Sequence, residues 1–301
     1  MADLADLDHN LPFESVSDDD LFDLLRPNQA NNQPFVNLPG SFDEIVVEKL
    51  NSSSQELNLN FDLEDPAQHS FSKYITNAQF HDIIKDFNSD TFSLLHFNIR
   101  SLNKHFDELQ SFLDNPSNIQ LSLIGLTETW LSHDSNLPFF IENYDFVFKN
   151  RQGRVGGGVA LYMLKTFNYV VHDNISIIND VFETLFIEIL NPGGKNIMVG
   201  VIYRPPNSNP REFLLQLSDL LRSPVLINKD CFLMGDFNIN LLNHEHNNVS
   251  QEFLETLFSA SFLPLISKPT RVTNSSASLI DNIFSNIISH PDSYIVLSDL
   301  T

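Results

Sequence analysis

The stretch Phe232-Leu233-Met234-Gly235-Asp236-Phe237-Asn238 decides how this chain is read. Its apolar and small residues predict a buried strand, and the strand ends in a carboxylate and an amide two positions apart. Alternation along an extended backbone turns Asp236 and Asn238 to the same side. Two polar groups at the end of a buried strand both need partners, and leaving them without is costly. That favours a functional site. The competing reading is a strand followed by an Asx turn, since Asp and Asn are common turn formers.

Working outward, the texture from Thr91 onward is that of a folded α/β chain. Strands are predicted at Phe92–Asn98, Leu121–Glu128, Gly158–Met163, Phe182–Leu190, Ile197–Tyr203, Cys231–Phe237 and Ser278–Phe284. The fourth and fifth form a hairpin around Asn191-Pro192-Gly193-Gly194. Helices are predicted at Lys104–Leu113, Arg211–Leu221 and Gln251–Phe258, each with apolar residues at helical spacing. Strands outnumber helices, and βαβ units mix with hairpins. The pattern predicts a mixed α/β sandwich of two sheets flanked by helices.

Residues 1–90 differ. They hold 18 Asp or Glu against 4 Lys or Arg, and runs such as NQANNQPF and NSSSQELNLN are polar with weak periodicity. A largely disordered acidic region is expected there. Within it Ser17–Leu25 has the composition of a transient amphipathic helix, suited to docking a protein partner.

The whole chain has 301 residues, 42% of them hydrophobic, and a formal net charge of −22. A nucleic-acid binder is expected to carry a basic patch, and no strong basic run is present. A bound metal ion can compensate such a deficit locally. With one Cys the chain excludes a disulfide framework, and Cys231 is expected to pack as a small apolar residue. No apolar run reaches the roughly 18 residues needed to span a membrane. The acidic start argues against a secretory signal or transit peptide, so an intracellular place, nucleus or cytoplasm, is expected. His244-Glu245-His246 is more economically a polar loop than a metal site, and no Cys or His cluster supports zinc.

Several predicted strands end in a polar residue: Asn98, Glu128, Asp236 with Asn238, and Asp281. Strand ends at one edge of an α/β protein gather into a common cleft. Carboxylates and amides together are hard oxygen ligands, suited to Mg²⁺ or Mn²⁺.

Five segments stand in order: Phe97-Asn98-Ile99-Arg100, Leu126-Thr127-Glu128-Thr129, Gly200-Val201-Ile202-Tyr203-Arg204-Pro205-Pro206, Gly235-Asp236-Phe237-Asn238 and Leu279-Ile280-Asp281. Together they resemble the endonuclease/exonuclease/phosphatase superfamily, in the form found in non-LTR (LINE-type) retrotransposon endonuclease domains. Arg154–Tyr162 and Pro269–Thr273 resemble further segments of those elements. The resemblance covers about residues 91–301. It implies a four-layer α/β sandwich, two mixed sheets face to face with helices outside, and metal-assisted phosphodiester hydrolysis on DNA.

Carried over by motif, the resemblance implies that Glu128 ligates Mg²⁺ or Mn²⁺ with Asn98 supporting it. Asp236 would orient or deprotonate the attacking water. Asn238 would donate a hydrogen bond where charge develops on the phosphate, and Tyr203 would contact that phosphate. Asp281 would hold a catalytic His in one tautomer. Arg204 is expected either to neutralise a backbone phosphate or to cover apolar surface with its stem; Arg154 is expected near DNA, and Thr270 and Arg271 at a DNA-facing loop or as ordinary turn residues.

The family's closing Ser-Asp-His triplet is not reproduced. Either Ser298-Asp299-Leu300 is that triplet with Leu300 in place of His, or Val296–Thr301 is the segment just before it. The second alignment fits the spacing from Asp281 better. Under both, the catalytic His is missing and activity is expected to be impaired. The expectation is a C-terminally truncated domain without its final strand and with an open sheet edge. Two alternatives remain: a phosphatase acting on an inositol phosphate or lipid head group, and an inactive remnant whose acidic region binds a partner.

Overall fold

A computed structural model describes residues 45–50, 72–87, 91–114, 120–131, 139–153, 155–192, 194–273, 275–287 and 291–297. The Ser17–Leu25 segment and the terminal Ser298–Thr301 lie outside the described residues. In chain order the strands are β1 (Ile45–Leu50), β2 (Lys73–Thr76), β3 (Phe92–Asn98), β4 (Leu123–Thr127), β5 (Tyr144–Lys149), β6 (Val159–Leu164), β7 (Asn168–Val171), β8 (Glu183–Leu190), β9 (Ile197–Tyr203), β10 (Asp230–Asp236), β11 (Leu263–Pro264), β12 (Arg271–Thr273), β13 (Ser276–Ser278), β14 (Asp281–Ser285) and β15 (Asp292–Leu297). The helices are α1 (Asn77–Ile84), α2 (Leu102–Leu113), α3 (Pro210–Leu221) and α4 (Asn248–Ser259).

Strand alternation builds the layers. The first sheet runs β2-β15-β1-β3-β4-β6-β5 and the second β11-β14-β10-β9-β8-β7. Leu94, Leu123 and Leu161 of the first sheet pack with Val201, Phe232 and Met234 of the second. Their sequence neighbours Leu95, Ile124 and Tyr162 face the other way, onto Phe80, Leu109 and Phe112 of α1 and α2. On the far side, Phe213 of α3 and Phe253 of α4 meet Phe237 and Phe284 in a run of ring contacts. The result is helix, sheet, sheet, helix: the four layers that the sequence predicts. Each fully buried Phe contributes about 2 kcal/mol of burial free energy.

Local signals place the helix ends. Thr76 and Gln79 form a reciprocal capping box at α1. Asn209, followed by Pro210, caps α3, and Asn247 caps α4. The two sheets approach closely at Gly125, where a Cβ would lie 2.3 Å from Met234 Sδ. This brings the C-terminal ends of β4 and β10 together.

The pairing adds three details. First, two strands lie within residues 1–90: β1 pairs antiparallel with both β3 and β15, and β2 pairs parallel with β15. Partners so distant along the chain leave no local signal in a short run. Second, β1 lies between β3 and β15 in the first sheet, and β2 and β5 stand at its two edges. Third, the predicted strand Ser278–Phe284 divides into β13 and β14. The residues between leave the ladder: Leu279 N–H donates to Asn240 Oδ1 and Ile280 N–H to Thr270 Oγ1.

Cys231 is buried, as its composition suggests, and burial pushes its thiol pKa up. Among the described residues no helix is long and apolar enough to cross a membrane.

Candidate active site

Four neighbouring strands of the second sheet place a row of polar side chains across one face. Register pairs Glu183 with Tyr203, Tyr203 with Asp236, and Asp236 with Asp281. Residues in register on adjacent strands share a face, so Glu183, Tyr203, Asp236 and Asp281 form one line. Gly235 is required for this line. A Cβ there would sit 1.8 Å from the carbonyl oxygen of Ile202 on β9.

The first sheet supplies the opposing wall. Asn98 ends β3 in register with Thr127 of β4, and Glu128 follows. Glu128, Trp130 and Asn238 all have positive φ, at 52°, 52° and 48°. Such conformations cost on the order of 1–2 kcal/mol for a residue with a Cβ, and they cluster at functional sites.

Asn98 joins the two sheets. Its Nδ2 donates to Asp236 Oδ2 at 2.8 Å and to Glu128 Oε1 at 3.3 Å. Its Oδ1 is buried with no hydrogen-bond partner among the described residues. Trp130 Nε1 donates to the second Glu128 oxygen at 3.0 Å. Asn238 N–H donates to Asp236 Oδ1 at 3.0 Å. Below Asn98 on the same face lies His96, buried, with Nε2 3.3 Å from Thr127 Oγ1. Burial pulls its pKa down to about 3, which keeps it neutral.

The electrostatics follow from burial. Asp236 is 1% exposed. Its pKa is pushed up to about 6, chiefly by loss of water, and further by the charge of Glu128. Arg271 and the hydrogen bonds from Asn238 N–H and Asn98 oppose that rise. The Tyr203 hydroxyl is also pushed up, by burial first and then by the charges of Glu128 and Asp236.

Asn98, Glu128, Tyr203 and Asp236 therefore converge. Asp281 adjoins Asp236, and its Oδ2 accepts a hydrogen bond from Thr270 Oγ1 at 3.1 Å. Asn238 contributes its backbone N–H to Asp236, while its Nδ2 donates to Arg204 O at 2.8 Å.

Two expected substrate contacts are turned into the protein instead. Arg204 is 4% exposed, and its guanidinium donates to Asn238 O and Ser208 O beside the Phe213 ring. Thr270 is fully buried, and its hydroxyl accepts from Ile280 N–H and Asp281 N–H. It acts on Asp281 as a support. Arg271 faces Asp236 closely enough to lower its pKa. Arg154 lies outside the described residues. His244 and His246 gather no metal-binding cluster, and among the described residues no group of three or more His, Cys, Asp or Glu does.

Residues that the sequence did not single out complete the cleft: Trp130, Arg151 and Glu183. Arg151 Nε donates to Glu183 Oε1, and the guanidinium lies 6.0 Å from the centre of the Tyr203 ring.

The oxygens that converge are those of the Glu128 and Asp236 carboxylates and the Tyr203 phenol, with Asn98 Nδ2 turned to both carboxylates. These are hard oxygens, too few to enclose a large cation but enough for one that keeps part of its water shell, as Mg²⁺ does. The residues present fit such an ion.

The family model described as Endonuclease/Exonuclease/phosphatase family matches residues 58–298. The chain belongs to the endonuclease/exonuclease/phosphatase family. No curated protein sequence matches the chain. Among solved structures, the endonuclease domain of TRAS1, a telomere-specific non-LTR retrotransposon, is similar at TM-score 0.51 and 13% identity, covering 67% of this chain and 95% of that one. An AP endonuclease from Archaeoglobus fulgidus aligns at TM-score 0.47 and 17% identity, covering 64% and 86%. A 3' phosphatase from Neisseria, bound to a product DNA hairpin, aligns at 0.45 and 14%, covering 62% and 84%. At these identities the likeness to TRAS1 is one of fold. The family match starts upstream of Thr91, in line with β2 and α1 belonging to the sandwich.

Proposed function

We propose that this cleft hydrolyses phosphodiesters with the help of Mg²⁺ or Mn²⁺, and that its substrate is DNA, cut internally. One observation carries the reading: Asn98 Nδ2 bridges Glu128 from the first sheet and Asp236 from the second. Glu128 would hold the ion, supported by the hydrogen bond from Asn98 Nδ2. When bound, it would polarise a phosphoryl oxygen and offset developing charge.

The chain's own residues divide the remaining work. Asp236 titrates near pH 6, where a carboxylate is effective in taking a proton close to neutrality. Each of its oxygens accepts one hydrogen bond, leaving a lone pair to orient water. The Tyr203 hydroxyl stays protonated and hydrogen-bonds Glu128, and would turn its one proton to a phosphate oxygen when the substrate arrives. Asn238, fixed by Arg204 O, keeps a second N–H for the same purpose. Trp130 holds Glu128 in place. Among the described residues no histidine belongs to this set.

Nicking of supercoiled plasmid in Mg²⁺ is the test. The wild-type chain is expected to nick and Asp236→Ala to lose that activity. Equal nicking by both would remove Asp236 from the mechanism.

A further inference from the structure

Resting on the DNA reading above, we infer that Arg151 is the anchor for a backbone phosphate next to the one being cut, held for that role by the buried carboxylate of Glu183. Glu183 is fully buried at the end of the polar row, beside Tyr203 in register. Its Oε1 accepts from Arg151 Nε, and its Oε2 accepts from Gly158 N–H. The carboxylate therefore grips one edge of the guanidinium. The other edge carries donors in a fixed fork, a shape matched to two phosphate oxygens.

The Arg151 side chain keeps 14% of its surface exposed, and Gly156 and Gly157 border it. Gly156, Gly157 and Gly158 bend past it with φ of 95°, 69° and 90°. A Cβ at Gly157 would lie 2.5 Å from Arg151 Nε and 2.4 Å from Glu183 Oε1. At Gly156 it would lie 3.9 Å from Arg151 Nη1 and 4.0 Å from Trp130 Nε1. The bare glycine backbone thus leaves the Nη1 end of Arg151 and the Trp130 indole on a common side. Glu183 is the only residue to which the Arg151 side chain hydrogen-bonds among the described residues.

Charge gives the arrangement its purpose. The chain carries 39 acidic residues against 17 Lys and Arg, and the polar row itself holds three carboxylates. A polyanion approaching this wall meets repulsion unless cations are fixed on the rim. Arg151 stands on the Tyr203 side and Arg271 on the Asp236 side. Contacts of this kind position the backbone and are insensitive to base sequence.

The test is duplex DNA binding by fluorescence anisotropy, without divalent cation, across a series of NaCl concentrations. Arg151→Met should bind about tenfold more weakly at low salt, one charge-assisted contact having been lost. Its plot of log K against log salt should be shallower by about one. Because that variant strands Glu183, the double variant Arg151→Met/Glu183→Gln is measured beside it, with circular dichroism to confirm folding. The double variant should show the same shallower slope. Recovery of wild-type binding and slope in the double variant would mean that Arg151 only neutralises Glu183, and would overturn the inference. So would a wild-type slope in a folded Arg151→Met. Failure of the wild-type chain to bind duplex at all would instead remove the DNA reading, and this inference with it.

Discussion

Asp236 and Glu183 flank the same tyrosine and are equally cut off from water, yet they are satisfied in different ways. Glu183 has a guanidinium against it and a backbone N–H on its other oxygen. Among the described residues Asp236 has an amide N–H on each oxygen, and Arg271 acts on it through its charge. The pKa of Asp236 rises to about 6. A carboxylate paired with a fixed cation serves as an anchor. One held by neutral donors stays ready to gain or lose a proton near pH 7.

The sharpest way to break this contrast is to remove each carboxylate. Asp236→Ala should lower nicking by three orders of magnitude or more, roughly the loss seen when a member of a catalytic set is removed. It should leave the fold intact by circular dichroism. Glu183→Ala should do the reverse in kind, costing about 3–5 kcal/mol of stability in urea unfolding because Arg151 is left buried without its partner. If Glu183→Ala unfolds at the wild-type urea midpoint, the pair is not an anchor.

The pH dependence separates the two further. The folded pKa of Asp236 lies above its ordinary value of 3.8. Its ionisation therefore opposes folding. The penalty is absent below about pH 4, grows as the pH rises through the folded value, and is complete above about pH 6. In EDTA, Asp236→Asn should be more stable than wild type at pH 8 by up to about 3 kcal/mol, with the difference vanishing at pH 4. The same proton should give the nicking rate an acid limb that falls as the pH drops through 6.

The smallest expected effect concerns the neighbour of Asp236 across the cleft. Trp130→Phe removes the N–H on Glu128 Oε2 while keeping an aromatic ring. Outer contacts of this type tune ion affinity by roughly 10- to 100-fold, and a weakening near the lower figure is expected by calorimetry with Mn²⁺. An unchanged affinity would show that Asn98 alone sets the position of Glu128.

The same contrast explains what the sequence could disclose. Asp236, Asn98 and Glu128 were legible because each ends an apolar strand, and a polar group in that place is unusual. Glu183 was not, because it opens its strand and looks like the ordinary polar boundary of an apolar run. Arg151 lies in a polar segment without periodicity, and its partner is supplied only when β8 comes alongside the glycine bend. Arg204 and Thr270 show the opposite error. Polar side chains beside a motif suggest substrate contact, but the two terminal nitrogens of Arg204 donate to backbone carbonyls, and the Thr270 hydroxyl bonds backbone N–H groups and Asp281. The four layers could be read from alternation, since both faces of β3, β4 and β6 are covered. The pairing of β1 could not.

That pairing has a consequence for how the molecule is made. The strand β1 is flanked by β15, more than 240 residues further along the sequence. Contacts between such distant segments slow folding, because a large loop must close before they form. During synthesis β1 leaves the ribosome early and must wait, unpaired on that side, until Asp292–Leu297 has emerged. The second sheet has no such delay in its central strands, since β8, β9 and β10 are close in sequence. The strands carrying Tyr203 and Asp236 can therefore pair early, whereas the sheet carrying Glu128 takes in β1 on both sides only once β15 is present.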